Sequence, residues 1–142
     1  MTRESHINGQ KKQATFKRAF ETIESYCERK NYIAAYVVVF SVIEDRLRAL
    51  YVKWFRIEKG CEPTLKQIND LFSRLVSILA RNGTIASDLA AELLKEARNR
   101  NELLHSAMWN LDKFNGEVVA SAMALARLTD KASRKRQMVK NL

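Results

Sequence analysis

Between Tyr32 and Trp54 apolar side chains return every three or four positions: Tyr32, Tyr36, Val39, Phe40, Ile43, Leu47, Leu50, Tyr51 and Trp54. A stripe of that period covers one face of an α-helix and cannot keep to one face of a strand. The β-branched run Val37-Val38-Val39 alone would suit a strand. The register, however, persists for three more turns, which predicts a helix from about Tyr32 to Ile57. A face that apolar must be covered. With one Pro and four Gly in 142 residues, little interrupts the chain, so the covering elements are expected to be helices too.

Phe16, Phe20, Ile23 and Cys27 mark a first helix from about Lys12 to Arg29, closed by the polar break Glu28 to Asn31. Lys59-Gly60-Cys61-Glu62-Pro63 stops the second helix. Thr64 and Gln67 have capping-box spacing and open a third, with Leu65, Ile68, Leu71, Phe72, Leu75, Val76 and Leu79 on its core side and Asn82-Gly83 at its end. A fourth runs from about Ile85 to Ser106 on Leu89, Leu93, Ala97 and Leu104. After a connector from Asn110 to Gly116, a fifth covers Val118 to Leu128. The apolar period fades after Thr129, and residues 1–11 and 130–142 are expected to be flexible basic ends. The pattern predicts an all-α, up-and-down helical bundle of about five helices, one domain over 1–142.

Residues 1–13 are polar and lack the apolar core of a secretory signal, and the longest apolar run, Ile33 to Ile43, is too short to cross a bilayer. No membrane partner is therefore expected. Cys27 and Cys61 lie far apart with no CxxC pair or His cluster nearby, which predicts reduced, interior thiols in a cytoplasmic protein and no metal site. The formal net charge of +9 is confined to the ends. Residues 1–18 carry +4 and residues 127–142 carry +5, so 19–126 are neutral overall. A neutral body with basic ends suits a polyanionic partner, nucleic acid foremost, or else solvated termini.

Chemistry concentrates in Glu96-Ala97-Arg98-Asn99-Arg100-Asn101-Glu102-Leu103-Leu104-His105. On a wheel of 100° per residue Arg100 falls inside the apolar arc of Leu93, Ala97 and Leu104. An unpaired guanidinium is costly there, so it calls for a partner. Glu44, set among Phe40, Ile43 and Leu47, is one candidate; Glu96, one turn before Arg100, is the other. Glu44 has Arg48 as its own neighbour four residues on. Asn101 and His105 are also four apart, which would let the amide orient the imidazole. Arg98, which also precedes an Asn, ranks second to Arg100 as the catalytic arginine and is a candidate phosphate contact. Tyr36 and Trp109 are expected in the core rather than as base-stacking platforms.

Arg100-Asn101-Glu102-Leu103-Leu104-His105 resembles the Arg-polar-x-x-x-His motif of HEPN domains, small helical bundles of RNA-cleaving toxin–antitoxin and phage-defence systems. Phe40-Ser41-Val42-Ile43-Glu44 is similar to that family's acidic-residue helix. The resemblance implies a homodimer with a composite active site across one cleft, cutting RNA without a metal or other cofactor to leave 2′,3′-cyclic phosphate ends. In that reading Arg100, His105, Asn101 and Glu44 are catalytic. Arg98, Lys131, Arg134, Lys135 and Arg136 would bind RNA, and an antitoxin or other regulatory partner would restrain the activity. Some HEPN toxins carry a modifiable Tyr two residues after the His; here that position is Ala107.

Overall fold

The computed structural model describes residues 3–107, 109 and 111–140, with the side chains of 3–15 and 135–140 outside what is described. Six α-helices and no strand occur among the described residues. They are α1 (Arg3–Glu28), α2 (Tyr32–Lys59), α3 (Leu65–Ile68), α4 (Phe72–Arg81), α5 (Ser87–Ser106) and α6 (Gly116–Lys140), with one 3-10 turn at Leu111–Lys113 between the last two. The all-α bundle expected from the periodicity is the fold observed. Among the described residues, no helix is long and apolar enough to cross a membrane.

The bundle is organised around α2, which packs against α1, α6, α4 and α3. Its stripe supplies Tyr36, Val39, Phe40, Ile43, Leu47 and Leu50 to a core completed by Ile23 of α1, Leu75 and Leu79 of α4, Leu93 of α5, and Val119 and Ala122 of α6. Asn31 caps its start by accepting a hydrogen bond from the Ala34 amide at 3.3 Å. Gly60 ends it at φ +69°, the left-handed conformation glycine adopts without strain. The short turn after α1 sends α2 back along it, so Arg46 reaches the Phe16 ring. By contrast α6 runs alongside α2 in the same direction: Gly116 lies beside Tyr32, and near the far end Lys53 Nζ donates to Ser133.

Several boundaries differ from expectation, each for a local reason. The predicted third helix is two. Its Thr64–Gln67 capping box forms as expected, but Asn69 ends α3 and Asp70 Oδ1 accepts from the Leu71 amide at 2.7 Å before α4 begins. Leu65 and Leu71, assigned to its core side, are consequently 77% and 66% exposed. At the N-terminus α1 starts at Arg3 instead of near Lys12, since Gln10 to Ala14 are good helix formers that need no apolar face. At the other end α6 passes Leu128 and continues to Lys140. Thr129 and Ser133 prolong its buried face as small polar residues, which a search for apolar periodicity overlooks, and Thr129 Oγ1 donates to the Leu125 carbonyl at 2.8 Å. Cys61 is exposed in the α2–α3 loop, contrary to the interior placement expected; Cys27 is partly buried, and both are free thiols.

Candidate active site

Glu44 and Arg100 meet across the bundle. Arg100 Nη1 donates to Glu44 Oε1 at 2.9 Å, with each side chain a little over a quarter exposed. The other carboxylate oxygen, Oε2, accepts from Arg48 Nη1 at 2.7 Å, and Arg48 Nε is held in turn by the Ile68 carbonyl at 3.1 Å. Both partners suggested by sequence for Glu44 are therefore used together. The Arg100 guanidinium also lies 4.2 Å from the centre of the Phe40 ring, a cation–π contact on the side facing α2. Its Nε and Nη2 donate to Asn101 Oδ1 at 3.3 and 3.2 Å. Three of its five N–H donors are thereby engaged and two remain available.

Glu96, the alternative partner for Arg100, is occupied elsewhere. Its Oε1 accepts from the Tyr36 hydroxyl at 2.7 Å, and both residues are buried. Burial, the hydrogen bond to Glu96 and that carboxylate's charge, in this order, push the Tyr36 hydroxyl well above the ordinary phenol range, while Arg100 pulls the other way. This pair was not among the expectations from sequence. Glu96 lies one turn before Arg100 on α5 and Tyr36 two turns before Glu44 on α2, but only the placement of α5 against α2 brings the two together.

Asn101 does not orient His105. Its carbonyl oxygen faces Arg100, and His105 is exposed with no hydrogen bond to any described residue. The expected core position Leu104 is 46% exposed; at this end of α5 the residues packed against the core are Leu103 and Ala107. Trp109, also expected in the core, is 79% exposed; Tyr36 is buried as predicted. Arg98 and Lys131 are exposed and Arg134 pairs with Asp130 at 3.0 Å, whereas the side chains of Lys135 and Arg136 lie outside the described residues.

A groove of about 370 Å³ opens on the other side of α5, between it and the start of α6, lined by Glu96, Asn99, Glu102, Leu103, Glu117 and Ser121 among others. On the α5 wheel its centre is roughly 100° to 160° away from Arg100, Asn101 and His105. The groove and the motif are therefore separate features. Among the described residues no three His, Cys, Asp or Glu side chains converge as metal ligands would. In comparison with known proteins, the chain matches no family model, no curated protein and no solved structure.

Proposed function

We propose that the chain is a metal-independent endoribonuclease of the HEPN type, acting as a homodimer in a toxin–antitoxin or phage-defence setting in the cytoplasm. The observation that carries this reading is the grip on Arg100. Glu44 holds it from the neighbouring helix and Phe40 backs it, leaving two donors free, while His105 stays exposed a little more than one turn further on. A guanidinium held in this way is suited to a phosphate, whose oxygens take paired N–H donors and whose charge grows during cleavage. His105 accepts the proton of the RNA 2′-hydroxyl as its oxygen attacks the adjacent phosphorus. The P–O5′ bond breaks, the 5′-oxygen takes a proton from the second copy's imidazole, and a 2′,3′-cyclic phosphate remains. An imidazole titrates close to neutral pH and can serve in either role. Asn101 fixes Arg100 and Glu44 orients it.

A second reading is favoured by one feature. No described residue orients His105, and Asn101 is spent on Arg100, as would suit a non-catalytic module in which the motif only braces α5 while the basic ends bind nucleic acid or a partner protein. Incubating a labelled structured RNA in EDTA with the wild type and with His105→Ala decides between them. The ribonuclease reading expects cleavage by the wild type alone, with cyclic phosphate ends. Equal cleavage by both proteins refutes the mechanism; salt-dependent binding by both without cleavage selects the second reading.

A further inference from the structure

The described parts of both basic ends of the sequence, 16–18 and 127–134, meet the second half of α2. Because α1 runs against α2, Phe16 comes to lie beside the middle of α2, where Arg46 Cζ is 5.1 Å from the centre of its ring. Because α6 runs with α2, its later turns arrive at the same half, where Lys53 meets Ser133. Arg127 Cζ lies 5.8 Å from the centre of the Phe20 ring and links α6 to α1 directly. The described segments gathered there are 16–18, 49–59 and 127–134. They hold eight basic residues against the two acidic ones Glu58 and Asp130, a net +6. Residues 19–48 and 60–126 hold 11 basic and 13 acidic residues, a net −2, and Arg46 and Arg48 there pair with Asp45 and Glu44. Among the described residues, charge is therefore polarised toward one basic pole.

On α6 the exposed residues Arg127, Lys131 and Arg134 follow at steps of four and three, one straight stripe along the helix. Glu44, which holds Arg100, sits on α2 roughly 13 Å from Lys53 by helix rise. We propose that this pole is a binding platform for the phosphate backbone of RNA, separate from Arg100 and His105, with the α6 stripe as its described centre. Rigid helical cations along a line suit a phosphate chain. A membrane-surface helix would instead set a broad apolar face opposite its cations. On α6 the face opposite this stripe is buried in the core, and the exposed Leu128 stands alone about 100° around the helix from Arg127. The choice of RNA among polyanions rests on the ribonuclease reading; the location of the platform does not.

The test measures binding of a fluorescein-labelled 20-nucleotide single-stranded RNA to the full chain carrying His105→Ala, so that cleavage cannot confound affinity. In that background Arg127→Gln/Lys131→Gln/Arg134→Gln is compared with Lys30→Gln/Arg74→Gln/Arg81→Gln, three exposed positions away from the pole. Removing three phosphate contacts should flatten the slope of log K against log salt by about 2, and the control variant should keep the parent slope. Equal losses in both variants, or no loss in the first, would overturn the platform. Stronger, pole-dependent binding to vesicles containing phosphatidylserine than to RNA would overturn it in favour of a membrane surface. Circular dichroism verifies the fold; should the triple variant unfold, Arg127→Gln and Lys131→Gln singly should each flatten the slope by about 0.7. Failure of the wild type to cleave any RNA would count against the ribonuclease reading and leave these binding results standing.

Discussion

The strength of the Glu44–Arg100 pair can be measured by a double-mutant cycle. The two groups bond at 2.9 Å, with 28% and 27% of their side chains exposed, and Phe40 shields one face of the guanidinium. At an effective dielectric constant near 20 the gross attraction is about 4 kcal/mol, and partial desolvation of both ions offsets much of it. Exposed pairs yield about 0.2–1 kcal/mol, while breaking a fully buried pair costs about 3–5. An intermediate pair should therefore couple by about 1–1.5 kcal/mol. Glu44→Ala and Arg100→Ala should each destabilise the fold by about 1.5–2 kcal/mol, and the double variant by about 1 kcal/mol less than their sum. Urea unfolding followed by circular dichroism measures all four corners, and in 1 M NaCl the coupling should shrink without vanishing, since most of the pair is shielded. A coupling below about 0.3 kcal/mol would mean that the two residues are merely adjacent, and that Glu44 does not hold Arg100 in place.

Tyr36→Phe leaves the Glu96 carboxylate buried without its donor and should cost about 1.5–3 kcal/mol, whereas pairing it with Glu96→Leu should recover most of the loss; urea midpoints decide. The same hydroxyl gives a pH dependence. Its pKa is raised in the fold above the unfolded value of 10.0, so its contribution is complete below about pH 10 and lost above it, as the unfolded chain releases the proton first. The urea midpoint should fall less steeply above pH 10 in Tyr36→Phe than in the wild type; identical alkaline slopes would contradict the assignment. Trp109→Ala should change the stability of the dilute chain by under about 0.5 kcal/mol and remove the Trp fluorescence most open to acrylamide, because Trp109 is 79% exposed and Trp54 is partly buried. A large loss of stability there would place Trp109 in the core after all.

The parts of this fold that could be read from sequence are those where apolar periodicity alone decides. The stripe of α2 needs no neighbour to be recognised, and the Thr64–Gln67 capping box is a local hydrogen-bonding pattern that formed as its spacing implied. Periodicity misleads where polar atoms decide. Asp70 breaks the predicted third helix with one bond to the Leu71 amide and leaves Leu65 and Leu71 outside. Thr129 and Ser133 extend α6 as small polar residues where an apolar count stops. At the site, a charge within an apolar arc indicated that Arg100 needed a partner, and Glu44 was among the candidates. Spacing could not reveal that Tyr36 engages Glu96, nor that Asn101 turns toward Arg100 instead of His105. Those choices depend on where α5 sits against α2, which local sequence does not specify.

That placement has a consequence for function. Near Arg100, α5 and α2 are joined by long polar side chains, Tyr36 to Glu96 and Glu44 to Arg100, and Leu93 is buried in the core two turns earlier. Past Arg100 the helix meets the core through Leu103 and Ala107, while Asn101, Leu104 and His105 on its other face are exposed together and Trp109 follows just beyond. One chain thus holds Arg100 firmly but leaves His105 on an open edge with no described residue to orient it. Exposed apolar residues beside such an edge suit a surface that a second copy covers. If the site is composite, cleavage per chain should rise with protein concentration and level off once dimers dominate, in step with the mass measured by sedimentation. A specific activity that stays constant down to concentrations where the chain sediments as a monomer would put the complete site within one chain, and His105 would then need an orienting group that none of the described residues provides.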